Sequence, residues 1–118
     1  MSNQLIDLPS FELEKRLNDT VLIDIRRESE FKLTGIIKNS HKLTFFDEYG
    51  NYDLEKWLEA FQTLVKTKEQ PFVLICAHAN RTRDVGLYLV NQLHYTQAYH
   101  LKGGIAQWIF EQREVIEQ

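Results

Sequence analysis

Four consecutive apolar residues, Phe72-Val73-Leu74-Ile75, run straight into Cys76, the only cysteine of the chain. An apolar, partly β-branched run of that length predicts a buried strand. Thr82 to Leu93 predicts a helix after a short loop. Val21 to Ile25 predicts a second buried strand ending at Arg26, and Leu5-Leu8 and Ala98-Leu101 read as shorter ones. Ile36-Ile37 is the candidate for a further strand. Between them lie helical patterns. One opens at Pro9-Ser10, with Ser10 as N-cap or Pro9 in the first turn, and carries Phe11, Leu13 and Leu17. Glu28 to Leu33 reads as a short helix closed by Gly35. After a loop turning at Tyr49-Gly50-Asn51, Asp53 can cap a helix whose Leu54, Trp57, Leu58, Phe61 and Val65 share one face. The turn Lys102-Gly103-Gly104 opens a last helix with Ile105, Trp108 and Ile109. Strands alternating with helices predict an α/β domain built on a mostly parallel sheet.

Such a pattern puts Cys76 at the C-terminal end of a strand and just before a helix. Ligands bind along that edge of open α/β sheets. A short loop curling into a helix N-terminus aims amides inward, and together with the helix dipole they favour an anion, here a nucleophilic thiolate. Cysteine also serves as a small buried hydrophobe. Its place at the strand end, with Arg81 and Arg83 soon after, favours chemistry. Trp57 and Phe61 have helical spacing and read as core packing rather than a ligand-stacking pair.

The 118 residues suit one domain with a core of its own, and the 43% hydrophobic and 26% charged fractions are ordinary for a globular protein. A net charge of −3 with scattered basic residues argues against nucleic acid as a partner. One cysteine allows no internal disulfide, which suits a reducing compartment. Neither a secretory leader nor a membrane-length apolar run is visible, so a soluble cytoplasmic protein is expected, with no membrane partner. His41, His94 and His100 show no ligand spacing, and no metal site or cofactor is expected.

Three segments together carry a family resemblance. Leu22-Ile23-Asp24-Ile25-Arg26 is followed by Glu30-Phe31; Cys76 to Arg81 forms a six-residue loop followed by the hydroxyl residue Thr82; and Leu101-Lys102-Gly103-Gly104 precedes Trp108. In this order and spacing the chain resembles a single-domain rhodanese, of the sulfurtransferase family, over residues 1–118. The resemblance implies a three-layer α/β fold with a parallel central sheet of about five strands flanked by helices. The chain departs from the family at two places. Ile36-Ile37-Lys38-Asn39-Ser40 replaces a His-Ile-Pro-Gly-Ala type segment. Ala79 stands where the loop often has glycine, and alanine is strained there if the position needs a positive φ.

The resemblance also implies a persulfide cycle. The Cys76 thiolate takes the outer sulfur of a small anionic donor such as thiosulfate or of a persulfide. It then yields that sulfur to a thiol, a protein cysteine or cyanide. The loop Ala77, His78, Ala79, Asn80, Arg81 and Thr82 would bind the substrate, its amides cradling the charged sulfur. His78 serves as an acid or base or is simply solvated. Arg81 attracts the anionic donor, the preferred reading, or bonds back to loop carbonyls. Arg83 reads as a surface charge and Lys102 as a turn residue near the site mouth. Asp24 and Arg26 read as structural, with Arg26 pairing with Glu30, and Gly103 and Gly104 as backbone requirements. One alternative is a non-catalytic interaction, regulatory or sulfur-carrier module, for which the loop Phe45-Phe46-Asp47-Glu48-Tyr49 offers a docking surface. The other is a cysteine-dependent phosphatase. Those enzymes use a loop one residue longer, with His before the cysteine, whereas Ile75 precedes Cys76 here. The sequence leaves the oligomeric state and the physiological donor and acceptor open.

Overall fold

The computed structural model describes residues 4–118. In chain order the elements are β1 (Leu5–Leu8), α1 (Ser10–Glu14), β2 (Val21–Asp24), α2 (Glu28–Thr34), β3 (Ser40–Lys42), α3 (Leu54–Leu64), β4 (Phe72–Ile75), α4 (Asn80–Asn91), β5 (Ala98–Leu101) and α5 (Gly104–Phe110). The strands form one five-stranded sheet in the order β1-β5-β4-β2-β3, with every pair parallel. This is the α/β architecture expected from the alternating strands and helices.

The apolar run of β4 lies at the centre because it can be buried on both faces, and all four of its residues are fully buried. Phe72 and Leu74 point into a core with Trp57 and Phe61 of α3 and Val85 and Leu89 of α4. Val73 and Ile75 point the other way, onto Leu13, Ile105 and Trp108. Burying each such side chain contributes roughly 1.5–3 kcal/mol, so this strand anchors both layers. Trp57 and Phe61 stack at 5.1 Å inside the first core, the packing role that their spacing indicates. Asp53 caps α3 through the Lys56 amide at 3.1 Å.

Several local expectations are corrected. The strand beyond β2 is Ser40–Lys42, not Ile36-Ile37. Ile36 and Ile37 are buried, and Ile36 pairs antiparallel with Ile116 near the C-terminus. Asn39, at φ 72°, then turns the chain into the edge. An edge strand has one open side, which suits the polar Ser-His-Lys run better than two isoleucines. In α1, Pro9 itself is the N-cap, its carbonyl accepting from the amides of Glu12 and Leu13, and Ser10 is the first helical residue. Phe11 is exposed while Leu13 is fully buried, because residues two apart on a helix face nearly opposite ways. Ile109 likewise stays partly exposed, whereas Ile105 and Trp108 are buried. α4 starts at Asn80, two residues before Thr82.

Candidate active site

Cys76 directly follows the central strand, at its C-terminal edge and between the ends of β5 and β2. The chain then turns through Ala77, His78 and Ala79 into α4. The turn is fixed from outside. The amides of Ile105 and Ala106, in the first turn of α5, donate to the carbonyls of Cys76 and Ala77 at 2.8 and 3.1 Å. This requires very close approach, and a Cβ on Gly104 would fall 2.2 Å from the Ala77 carbonyl oxygen. Only glycine fits there. Gly104 is thus a backbone requirement that serves the shape of the cysteine loop, while Gly103, at φ 75°, is a requirement of the turn into α5.

With two carbonyls drawn toward α5, the loop amides are left for other work. Among the described residues, the amides of Ala77 to Arg81 meet no protein acceptor. That of Thr82 donates to Cys76 Sγ at 3.4 Å. The thiol is buried and touches the α3–α4 core, yet its polar neighbours are specific. Thr82 Oγ1 lies 3.4 Å from Sγ and 2.8 Å from Nδ1 of His100, whose Nε2 contacts the carboxylate of Asp7. Ala79 and Thr82 are buried, Ala77 and Arg81 partly so, and His78 and Asn80 face solvent. Arg83 and Lys102 are exposed.

Ala79 closes the loop at φ 70° and ψ 6°, the left-handed region. For an L side chain this conformation costs roughly 1–2 kcal/mol. Ala79→Gly removes the strain but loosens the unfolded chain, so a net gain of about 0.5–1 kcal/mol is expected. Denaturant unfolding of the variant measures it; no gain would mean that the loop holds alanine there without strain.

Arg81 does not turn back onto loop carbonyls. Its two terminal nitrogens donate to the two carboxylate oxygens of Glu30, on α2, at 2.7 and 2.8 Å. This end-on pair ties the start of α4 to α2. The Arg81 hydrogen bonds hold the Glu30 carboxyl below its ordinary value, burial opposing them in part. A depressed carboxylate stabilises the fold above its unfolded value of 4.5, and that contribution is lost as the pH falls through the folded one. Glu30→Gln should therefore lower the melting temperature near neutral pH, by the equivalent of about 1 kcal/mol. The deficit should shrink on acidification, and a deficit constant with pH would refute the assignment.

Because Glu30 serves Arg81, Arg26 pairs with Asp24 instead, which corrects the expected Arg26–Glu30 pair. The Arg26 Nη2 and Nε donate to the Asp24 carboxylate at 2.8 to 3.1 Å, with both side chains buried. Its other bonds go to the Gly35 carbonyl, Thr34 Oγ1 and the Glu30 carbonyl. The structure thus places four residues around the site that spacing alone did not bring there: Asp7, Glu30, His100 and Gly104. One signal was present for His100. Strand alternation puts it on the same face as Ala98, toward α4, and an inward polar residue in a buried strand needs a partner.

A parallel sheet with a cysteine loop at the end of its central strand and a glycine-gated helix against that loop defines a class of α/β domain. The chain belongs to the rhodanese-like domain family, whose model matches residues 11–111. It is 26% identical over 93 residues to thiosulfate sulfurtransferase GlpE of Pseudomonas fluorescens, covering 79% of this chain and 73% of that one. Among solved structures it resembles a rhodanese-related protein from Thermoplasma volcanium, with a TM-score of 0.71, 22% identity and coverage of 96% and 99% of the two chains. It also resembles a polysulfide-sulfur transferase from Wolinella succinogenes, with a TM-score of 0.70, 21% identity and coverage of 97% and 80%.

Proposed function

We propose that this protein transfers sulfane sulfur through a persulfide on Cys76. The observation that carries the reading is the Thr82 amide aimed at Sγ within a loop whose preceding amides have no acceptor among the described residues. A sulfur bonded to Sγ lies about 2 Å farther out, and those amides are the donors the loop has free for it. They would hold its negative charge without any proton transfer. The thiolate attacks the outer sulfur of the donor, the bond to the donor breaks, and sulfite leaves when thiosulfate is used. A thiol, protein cysteine or cyanide then attacks the outer sulfur and regenerates the thiolate. The burial of Cys76 limits the donor to a small one, whose charge the loop amides must meet. The rhodanese-like family and a relative named thiosulfate sulfurtransferase support the same chemistry.

Arg81 argues against phosphoryl chemistry. A phosphate-binding arginine offers its fork to the substrate, and here both terminal nitrogens are engaged by Glu30. We therefore assign Arg81 to loop positioning in place of direct donor capture. Arg81→Ala should destabilise the loop and lower kcat, whereas a role in steering the anion would appear as a raised KM alone. The direct test is intact mass after incubation with thiosulfate, with parallel assays of cyanide-dependent sulfur transfer and p-nitrophenyl phosphate hydrolysis. One added sulfur and sulfur transfer without phosphatase activity are expected. An unmodified chain inactive toward thiosulfate and polysulfide alike would overturn the proposal.

A further inference from the structure

Cys76, Thr82, His100 and Asp7 form an unbroken polar line from the thiol to the rim of the sheet. Sγ lies 3.4 Å from Thr82 Oγ1, and Oγ1 lies 2.8 Å from His100 Nδ1. His100 Nε2 contacts Asp7 Oδ1. The strand register makes Asp7 and His100 direct neighbours on β1 and β5, and alternation turns both toward α4, where Thr82 stands in the first turn. His100 is 2% exposed, while Asp7 is 58% exposed and wet. A histidine buried beneath a helix with both ring nitrogens engaged, one by a carboxylate and one by a hydroxyl that reaches a thiol, is a built arrangement rather than a filled gap.

We infer that Asp7, His100 and Thr82 form a proton relay that takes the thiol proton of Cys76 and so generates the nucleophile; this rests on the sulfur-transfer reading above. Asp7 fixes the tautomer. It accepts from Nε2–H, which leaves Nδ1 as an acceptor. Thr82 then donates its hydroxyl hydrogen to Nδ1 and turns a lone pair toward Sγ. When the thiol ionises, the S–H bond breaks and its electron pair stays on sulfur. The proton passes to Oγ1 while the hydroxyl proton passes to Nδ1. The products are a thiolate and an imidazolium, the latter balanced by Asp7. Thr82 now donates its new O–H to the thiolate alongside its own amide, so one residue supplies two donors to the sulfur.

The groups facing His100 are Asp7 from β1, Thr82 and Arg83 from α4, and the thiol beyond Thr82 at the end of β4. Burial above all, with some help from the Arg83 charge, holds the free imidazole toward its neutral form, and Asp7 opposes them. Burial thus favours the neutral, proton-accepting form of His100 at rest, while Asp7 favours the imidazolium that forms with the thiolate. His100 and Asp7 act through Thr82 and are positioning residues.

The test reads the thiol itself. The chain has one cysteine, so an isotope-labelled Cys76 Cβ gives one resonance whose pH titration reports thiolate formation without any sulfur donor. In His100→Asn and Thr82→Val the titration midpoint should rise by about one pH unit, which is about tenfold less thiolate near neutrality. Thr82→Ser, which keeps the hydroxyl, should restore the wild-type midpoint, and Asp7→Asn should raise it by a smaller step. Unmoved midpoints in His100→Asn and Thr82→Val overturn the relay, as does a Thr82→Ser midpoint equal to that of Thr82→Val. Should the buried substitutions unfold the chain, Asp7→Asn decides alone: a raised midpoint supports the relay and an unchanged one overturns it. A wild-type chain that never acquires sulfur yet shows these shifts refutes the sulfur reading and leaves the relay standing.

Discussion

Cys76→Ser is expected to abolish sulfur transfer, lowering the thiosulfate–cyanide rate by at least about a thousandfold, with no added sulfur in the intact mass. The reason lies in the atom and not in its shape. A serine hydroxyl is smaller than the thiol and fits the same space beside the Thr82 amide and hydroxyl. It is protonated at every pH the fold tolerates and forms no persulfide. The fold should survive, because α5 grips the loop through the backbone carbonyls of Cys76 and Ala77, which the substitution leaves alone. A variant that melts like the wild type but transfers no sulfur assigns the chemistry to Sγ. Retained transfer in Cys76→Ser would remove the persulfide mechanism altogether.

Arg26→Met should damage the stability of this fold severely, costing about 3–5 kcal/mol. Asp24 and Arg26 are buried together. Removing the guanidinium strands a carboxylate at the end of β2 and also releases the Gly35 carbonyl and Thr34. A small domain typically has roughly 5–15 kcal/mol in total, so the denaturation midpoint should fall sharply. The pH dependence gives a second check. Burial already pushes the Asp24 carboxyl above its ordinary value, against the pull of Arg26. Without Arg26 that push is unopposed, and protonation relieves it. A raised carboxyl stabilises the fold below its unfolded value and loses that contribution as the pH rises. The variant should therefore recover part of its stability on acidification. Asp24→Leu combined with Arg26→Met should cost less than Arg26→Met alone, because no charge is left unpaired. A loss under about 1 kcal/mol in the single variant would show the pair to be dispensable.

The strands that form the middle of the sheet were legible from composition alone. Val21 to Asp24, Phe72 to Ile75 and Ala98 to Leu101 are short runs that only a doubly covered sheet can bury. The edge was not. Ile36 and Ile37 have the composition of a strand, but hydrophobicity reports burial and not hydrogen-bond pairing. A three-residue run of Ser, His and Lys carries no period by which to recognise β3. The glycine commonly found at the Ala79 position in the family raised the question of a positive φ there, and the structure answers it with φ 70°. The partners of Arg81 and Arg26 were not legible, since Glu30 lies near Arg26 in sequence but faces Arg81 in space.

What the sequence determined by itself was the parallel α/β layering, the thiol at the end of the central strand, and the tight turn at Gly103-Gly104. Each is a local matter of side-chain volume, apolar run length or backbone freedom. What only the tertiary structure decided was which charges and hydroxyls meet around that thiol. Asp7 and His100 are 93 positions apart in the chain and adjacent only because the strand order places β1 beside β5. Hydrogen bonds act over about 3 Å, and no pattern along a single strand or helix encodes a distance between separate ones.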